Sequence, residues 1–110
     1  MHLRRPAEFK QVFAKGKAYR QPAFTIIVQD NGLDIPRLGL AVSRRTAARA
    51  VVRNRIKRII RESFRGLHRP LAGRDVVVLA RSPSAKLARG ELRASLDMLW
   101  RQIGESCSAS

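Results

Sequence analysis

Thr46-Ala-Ala-Arg-Ala-Val-Val-Arg-Asn-Arg-Ile-Lys-Arg-Ile-Ile-Arg-Glu-Ser-Phe-Arg65 is a helix-length segment that is apolar along one side and cationic nearly everywhere else. Counted from Arg44, it carries nine Lys/Arg and one carboxylate in twenty-two residues. At about 100° per residue, Val52, Ile56, Ile59, Ile60 and Leu67 share one arc centred on Ile56, and that arc is expected to bury. Arg53, Lys57, Arg61 and Arg65 follow one another at i, i+4 and are expected to form a stripe on the opposite side. Asn54 and Arg58 lie beside that stripe and Arg55 edges the other flank. Thr46 is the expected N-cap, and Gly66 with Pro70 is expected to close the helix.

An amphipathic helix needs an apolar surface to cover, and the flanking sequence supplies strands. Arg37-Leu-Gly-Leu-Ala-Val-Ser43 reads as a strand entering the helix. Asp75-Val-Val-Val-Leu-Ala80 is a continuous apolar run, the pattern of a strand covered on both faces. Upstream, Phe24-Thr-Ile-Ile-Val-Gln is a third strand, with a short one near Tyr19 separated from it by Pro22. Asn31-Gly32 and Pro36 mark a loop, so the strands on either side of it are expected to pair as an antiparallel hairpin. Residues 6 to 15 read as a first helix, with Pro6 in its first turn, Phe9, Val12 and Phe13 at helical spacing, and Gly16 as its stop. After a turn at Ser82-Pro83-Ser84, Leu92, Leu96, Leu99 and Ile103 recur at spacings of four, three and four, the apolar face of a last helix. The order α-β-β-β-α-β-α predicts a single α+β domain spanning residues 1 to 110. An ordered core is expected over about 3–103, followed by a flexible tail from about 104 to 110.

A chain of 110 residues with 45% hydrophobic content can build one core, yet its formal net charge is +15 and its pI about 11.8. A folded domain this basic points to nucleic acid, an anionic membrane surface or an acidic protein, with nucleic acid first. Solvated helix faces ordinarily mix charges of both signs, and this one does not. Like charges at i, i+4 cost a helix a few tenths of a kcal/mol per pair, a cost that a polyanion offsets. Arginine prevails over lysine, and its planar fork suits phosphate and base stacking. Arg44 and Arg45 would add charge at the helix entrance. Phe9 and Phe13, one turn apart, are either core or a platform for an unpaired base. Phe64 and Trp100 are expected in the core.

Catalytic groups are scarce. The histidines are His2 and His68, the eight carboxylates are scattered, and no metal-ligand spacing, nucleophile elbow or glycine-rich phosphate loop occurs. Cys107 is single and cannot form an internal disulfide. Arg4 and Arg5 have no apolar run behind them, and no stretch reaches the ~20 apolar residues of a membrane span. The expected location is the cytoplasm. A stand-alone nuclease is not supported, and any reaction must draw its chemistry from a partner.

Arg53-Asn54-Arg55-Ile56-Lys57-Arg58, continued by Ile-Ile-Arg61-Glu62-Ser63-Phe64-Arg65, resembles the RNR motif of the bacterial ribonuclease P protein subunit. Glu8-Phe9-Lys10-Gln11-Val12-Phe13 with Gly16, Leu38-Gly39-Leu-Ala-Val-Ser43-Arg44-Arg45, and Val77-Val-Leu-Ala80-Arg81 resemble other stretches of that family, in the same order. The resemblance implies a small mixed sheet with a left-handed β-α-β crossover, the fold class of the second domain of ribosomal protein S5. It further implies an accessory subunit of an RNA-based endoribonuclease, in which a catalytic RNA with its own Mg²⁺ removes the 5′ leader of precursor tRNA. No protein side chain would be catalytic or bind metal, and neither a membrane nor an obligate protein partner is expected. By the same resemblance Arg53, Asn54, Arg55, Lys57, Arg58, Arg61 and Arg65 would face the catalytic RNA. Phe9, Phe13, Ile27, Ser43, Arg44, Arg45 and Arg81 would line or rim the leader-binding cleft. Ile27 stands where relatives often have a tyrosine, and it cannot hydrogen-bond a base. A ribosomal or other structured-RNA-binding protein, and a DNA-binding protein using the same helix, are the alternatives.

Overall fold

Val76, Val77 and Val78 have no exposed surface, and that fixes where their strand must sit. In the computed structural model, which describes residues 12, 14–67 and 71–108 with side chains as far as Glu105, Arg74–Ala80 (β4) is an interior strand. Lys17–Arg20 (β1), Phe24–Asp30 (β2) and Arg37–Ala41 (β3) complete a sheet of order β1-β2-β4-β3. β2 is antiparallel to both β1 and β4, while β3 is parallel to β4. The helix Ala50–Arg65 (α1) crosses over between β3 and β4, and a 3₁₀ turn at Ser82–Lys86 leads to Arg89–Ser108 (α2). The architecture is the α+β sandwich that the element order predicts, with the mixed sheet that the family resemblance implies.

The expected β2–β3 hairpin does not form. β4 lies between the two strands, because an all-apolar strand needs hydrogen-bonding neighbours on both edges and cover on both faces. A bidentate pair fixes the parallel neighbour: the Arg37 guanidinium donates to both oxygens of buried Asp75, each at 2.7 Å. The Asn31 amide donates to the same carboxylate at 3.0 Å, and its Oδ1 accepts from the Leu33 N–H at 2.7 Å. The 31–36 loop is thereby tied to the start of β4 rather than turned into a tight hairpin.

One face of the sheet carries the main core. Phe24, Ile26, Val28, Leu38, Val76 and Val78 meet Ile56, Ile59, Ile60 and Phe64 of α1, and Leu92, Leu96, Leu99, Trp100 and Ile103 of α2. The apolar arcs expected for both helices are the buried ones; Val52 and Leu67 are half-buried at its margin. Trp100 packs tilted against Phe64 at 6.1 Å, and its indole N–H donates to Ser63 Oγ at 2.6 Å. The other face holds a smaller cluster of Val12, Ile27 and Val77, with Leu79 beside it. Val12, Ala14 and Lys15 are helical, in keeping with a first helix that ends at Gly16; Phe9 and Phe13 lie outside the described residues. Two boundaries differ from the sequence reading. Thr46 does not cap α1, which begins four residues later at Ala50 with Arg49 in the cap position and no side-chain cap. Its hydroxyl donates instead to the Ala80 carbonyl at 3.0 Å, because the turn it occupies packs on the end of β4. And α2 runs on to Ser108, past the tail expected from about residue 104, since nothing in Gly104-Glu105-Ser-Cys-Ser forbids helical geometry.

Candidate nucleic-acid interface

An i, i+4 step advances about 40° round a helix, so a stripe of four such residues winds across the surface instead of running along it. Arg53 and Lys57 consequently sit half-buried on the flank of α1, while Arg61 and Arg65 are exposed. The Arg53 guanidinium turns back and donates from Nη1 to the carbonyl oxygens of Ala47 and Ala48, at 2.9 and 2.8 Å. The outward face is made by Asn54, Arg58, Arg61 and Arg65, which with Glu62 line a groove of about 490 Å³. A second groove of about 630 Å³ adjoins it, lined by Val51, Val52, Asn54, Arg55, Arg58, Ile59 and Arg89. Glu62, the only carboxylate of α1, accepts from Arg89 at 2.9 Å. Guanidinium groups held this way on a rigid helix bind phosphate oxygens through charge-assisted, often paired, hydrogen bonds.

A second cationic cluster comes from strand register. Because β3 and β4 run parallel with Ala41 opposite Leu79, Ser43, Arg44, Arg45 and Arg81 emerge from the same end of the sheet. All four are exposed. Ser43 Oγ and Thr46 Oγ1 are 3.2 Å apart, and the Thr46–Ala80 bond joins the two chain segments there. The Arg81 N–H donates to the Ala23 carbonyl at 2.8 Å, which adds the end of β2. Ile27 does not belong to this exposed rim. It is 8% exposed, packed under Val12 and against Val77. Gly16 makes that packing possible, since a Cβ there would collide with Ile27 Cγ2 and the Val12 carbonyl.

The structure thus gathers Asn54, Arg55, Arg58, Arg61 and Arg65 on one surface and Ser43, Arg44, Arg45 and Arg81 on another. It sets Arg53 and Ile27 apart from both. Two lining residues escape the sequence reading. Arg89 reaches α1 from the other helix, a contact that no local spacing encodes. Val51 had a visible signal, an apolar residue about 140° round the helix from Ile56. Among the described residues, no three His, Cys, Asp or Glu side chains come together as a metal site, and no helix is long and apolar enough to cross a membrane.

A mixed four-stranded sheet bearing one arginine-rich helix defines a small α+β nucleic-acid-binding domain. Residues 1–104 match the family model described as Ribonuclease P. The chain is 43% identical over 110 residues to the ribonuclease P protein component of Nitrosococcus oceani, covering all of this chain and 92% of the relative. It is 42% identical over 108 residues to that of Thioalkalivibrio sulfidiphilus, covering 98% and 90%. Among solved structures, the RNase P protein of Staphylococcus aureus superposes with a TM-score of 0.85 at 30% identity, covering 91% of this chain and 92% of that one. The Thermotoga maritima RNase P protein gives a TM-score of 0.80 at 32% identity, covering 90% and 97%. The chain belongs to the ribonuclease P protein family. It is accordingly the accessory protein subunit of the ribonucleoprotein endoribonuclease that acts in tRNA 5′ processing, and RNA is its partner.

Proposed function

We propose that the outward face of α1 binds the catalytic RNA of ribonuclease P, and that the basic end of the sheet receives the 5′ leader of precursor tRNA. The observation that carries this reading is the convergence of Asn54, Arg58, Arg61 and Arg65 on one groove whose single carboxylate is already engaged by Arg89. Such a face neutralises a folded polyanion at fixed spacing. The Ser43, Arg44, Arg45 and Arg81 cluster lies at the far end of the strands, where an extended single strand can run beside the sheet while the RNA body rests on α1. Mg²⁺ is assigned to the RNA, and no step of the hydrolysis is assigned to a side chain. The protein contributes affinity for precursor over product, in the cytoplasm and without an obligate protein partner. Reconstitution tests the proposal. The purified protein alone should cleave nothing, and added to the catalytic RNA at low Mg²⁺ it should restore precursor processing. Failure to stimulate that RNA, or preferential co-purification with ribosomal RNA, overturns it.

A further inference from the structure

Val51 is 65% exposed and is the one large apolar side chain on the outward face of α1. It is not isolated, however. Buried Ile59 and half-buried Val52 floor the 630 Å³ groove and Val51 forms one wall, while Asn54, Arg55, Arg58 and Arg89 rim it. No carboxylate lines this groove. Arg89 is held at the rim by its 2.9 Å ion pair with Glu62, which lies outside the lining.

An aliphatic floor inside a guanidinium rim suits a ligand with apolar faces, a polar edge and an anionic attachment. A phosphate backbone passing overhead would use the rim and leave the floor covered by charged oxygens. A nucleobase turned out of its stack uses both. Its face packs against Val51 and Val52, the Asn54 amide offers a donor and an acceptor to its edge, and the adjoining phosphates meet Arg55, Arg58 and Arg89. The volume falls within the range of clefts that hold small ligands.

We infer that the groove between α1 and the start of α2 is a seat for one unstacked nucleotide of the catalytic RNA, with Val51 and Arg89 completing it. The inference rests on the proposed RNA-binding role of α1 and adds that a base, not only backbone, is bound there. The test is Val51→Ala, titrated with the catalytic RNA over a salt series beside Arg58→Gln. Val51 is exposed and alanine favours helix more than valine does, so the fold is retained. Val51→Ala should weaken binding about fivefold at every salt concentration, the loss of a partly buried pair of methyl groups. The slope of log K against log salt should not change, because no phosphate contact is lost. Base-specific chemical probing should show one nucleotide protected by the native protein and released by Val51→Ala. Unchanged affinity in Val51→Ala with weakened binding in Arg58→Gln overturns the base seat and leaves the proposed function standing. Weakened binding without release of a base places sugar or phosphate over Val51 and also overturns the seat. If neither substitution weakens binding, the role of α1 itself fails.

Discussion

Arg53 and Arg61 stand two turns apart in one basic motif, and their guanidinium groups meet different surroundings. Arg53 is half-buried and bonded to the Ala47 and Ala48 carbonyls, so it orders the 43–49 segment that carries Arg44, Arg45 and Arg49. Arg61 is exposed and lines the outward groove. Arg53→Gln should therefore cost about 1 kcal/mol of stability, the net worth of charge-assisted bonds open to solvent on one side, and leave the salt dependence of RNA binding nearly unchanged. Arg61→Gln should keep stability within about 0.5 kcal/mol and make the log K–log salt slope shallower by about 0.7 to 0.9. Denaturant unfolding and a salt-series titration of both variants decide the matter. Equal flattening by Arg53→Gln would mean that its side chain leaves the carbonyls in the complex. A helical wheel places both residues in one stripe. It cannot show that one finds unpaired carbonyls in a preceding turn, because the wheel does not contain the turn.

Helices and strands were legible element by element, since each announces itself by a local period. The arcs of Ile56 and Leu96 are the buried ones, and the Val76 to Val78 run is buried on both faces. The order of the strands was not legible, because β4 chooses β3 and β2 through Asp75, Arg37 and Asn31, residues 38 and 44 positions apart in the chain. The same limit hides the contact between helices. Ser63 is a small polar residue within an apolar arc, and only the structure shows that it accepts from Trp100 on α2. Ser63→Ala leaves a buried indole N–H without its acceptor and should cost about 1 to 3 kcal/mol. That corresponds to roughly 4 to 8 °C in Tm per kcal/mol for a domain near this size. Calorimetry reads the loss, and RNA affinity measured well below Tm should stay native. Gly16 gives a complementary case on the opposite face. Its sequence position reads as a helix stop, whereas its structural role is to let Val12 lie on Ile27 and Val77. Gly16→Ala should destabilise the fold by about 1 to 3 kcal/mol through overpacking. Leader binding should fall more than binding of the catalytic RNA, because the displaced segment lies over the sheet and not over α1; equal losses would contradict that placement.

Across the whole molecule, topology separates charges that the sequence interleaves. Asp30, Asp34 and Asp75 gather with Arg37 and Arg74 at one end of the sheet, in the pairs Arg37–Asp75 and Arg74–Asp30. Arg44, Arg45 and Arg81 occupy the other end. A seven-residue strand such as β4 spans about 20 Å, more than twice the Debye length of about 8 Å at physiological salt. The aspartates therefore do nothing to neutralise Arg44, Arg45 and Arg81 at the opposite end, and that end keeps its positive charge for RNA. Two opposite salt effects follow from this one arrangement. For the free protein, added salt screens self-repulsion, so Tm should rise between low and physiological ionic strength. For the complex, salt competes with RNA. If Arg55, Arg58, Arg61 and Arg65 each meet a phosphate, log K should fall with log salt at a slope of about −2.8 to −3.6, from single-stranded to duplex-like backbone. Saturating RNA adds stability as RT ln(1 + [L]/Kd), and that increment should shrink as salt weakens Kd. The Tm curves of free and bound protein should thus converge at high salt, the first rising and the second falling. Parallel curves would show that the cations of α1 are not the groups RNA neutralises.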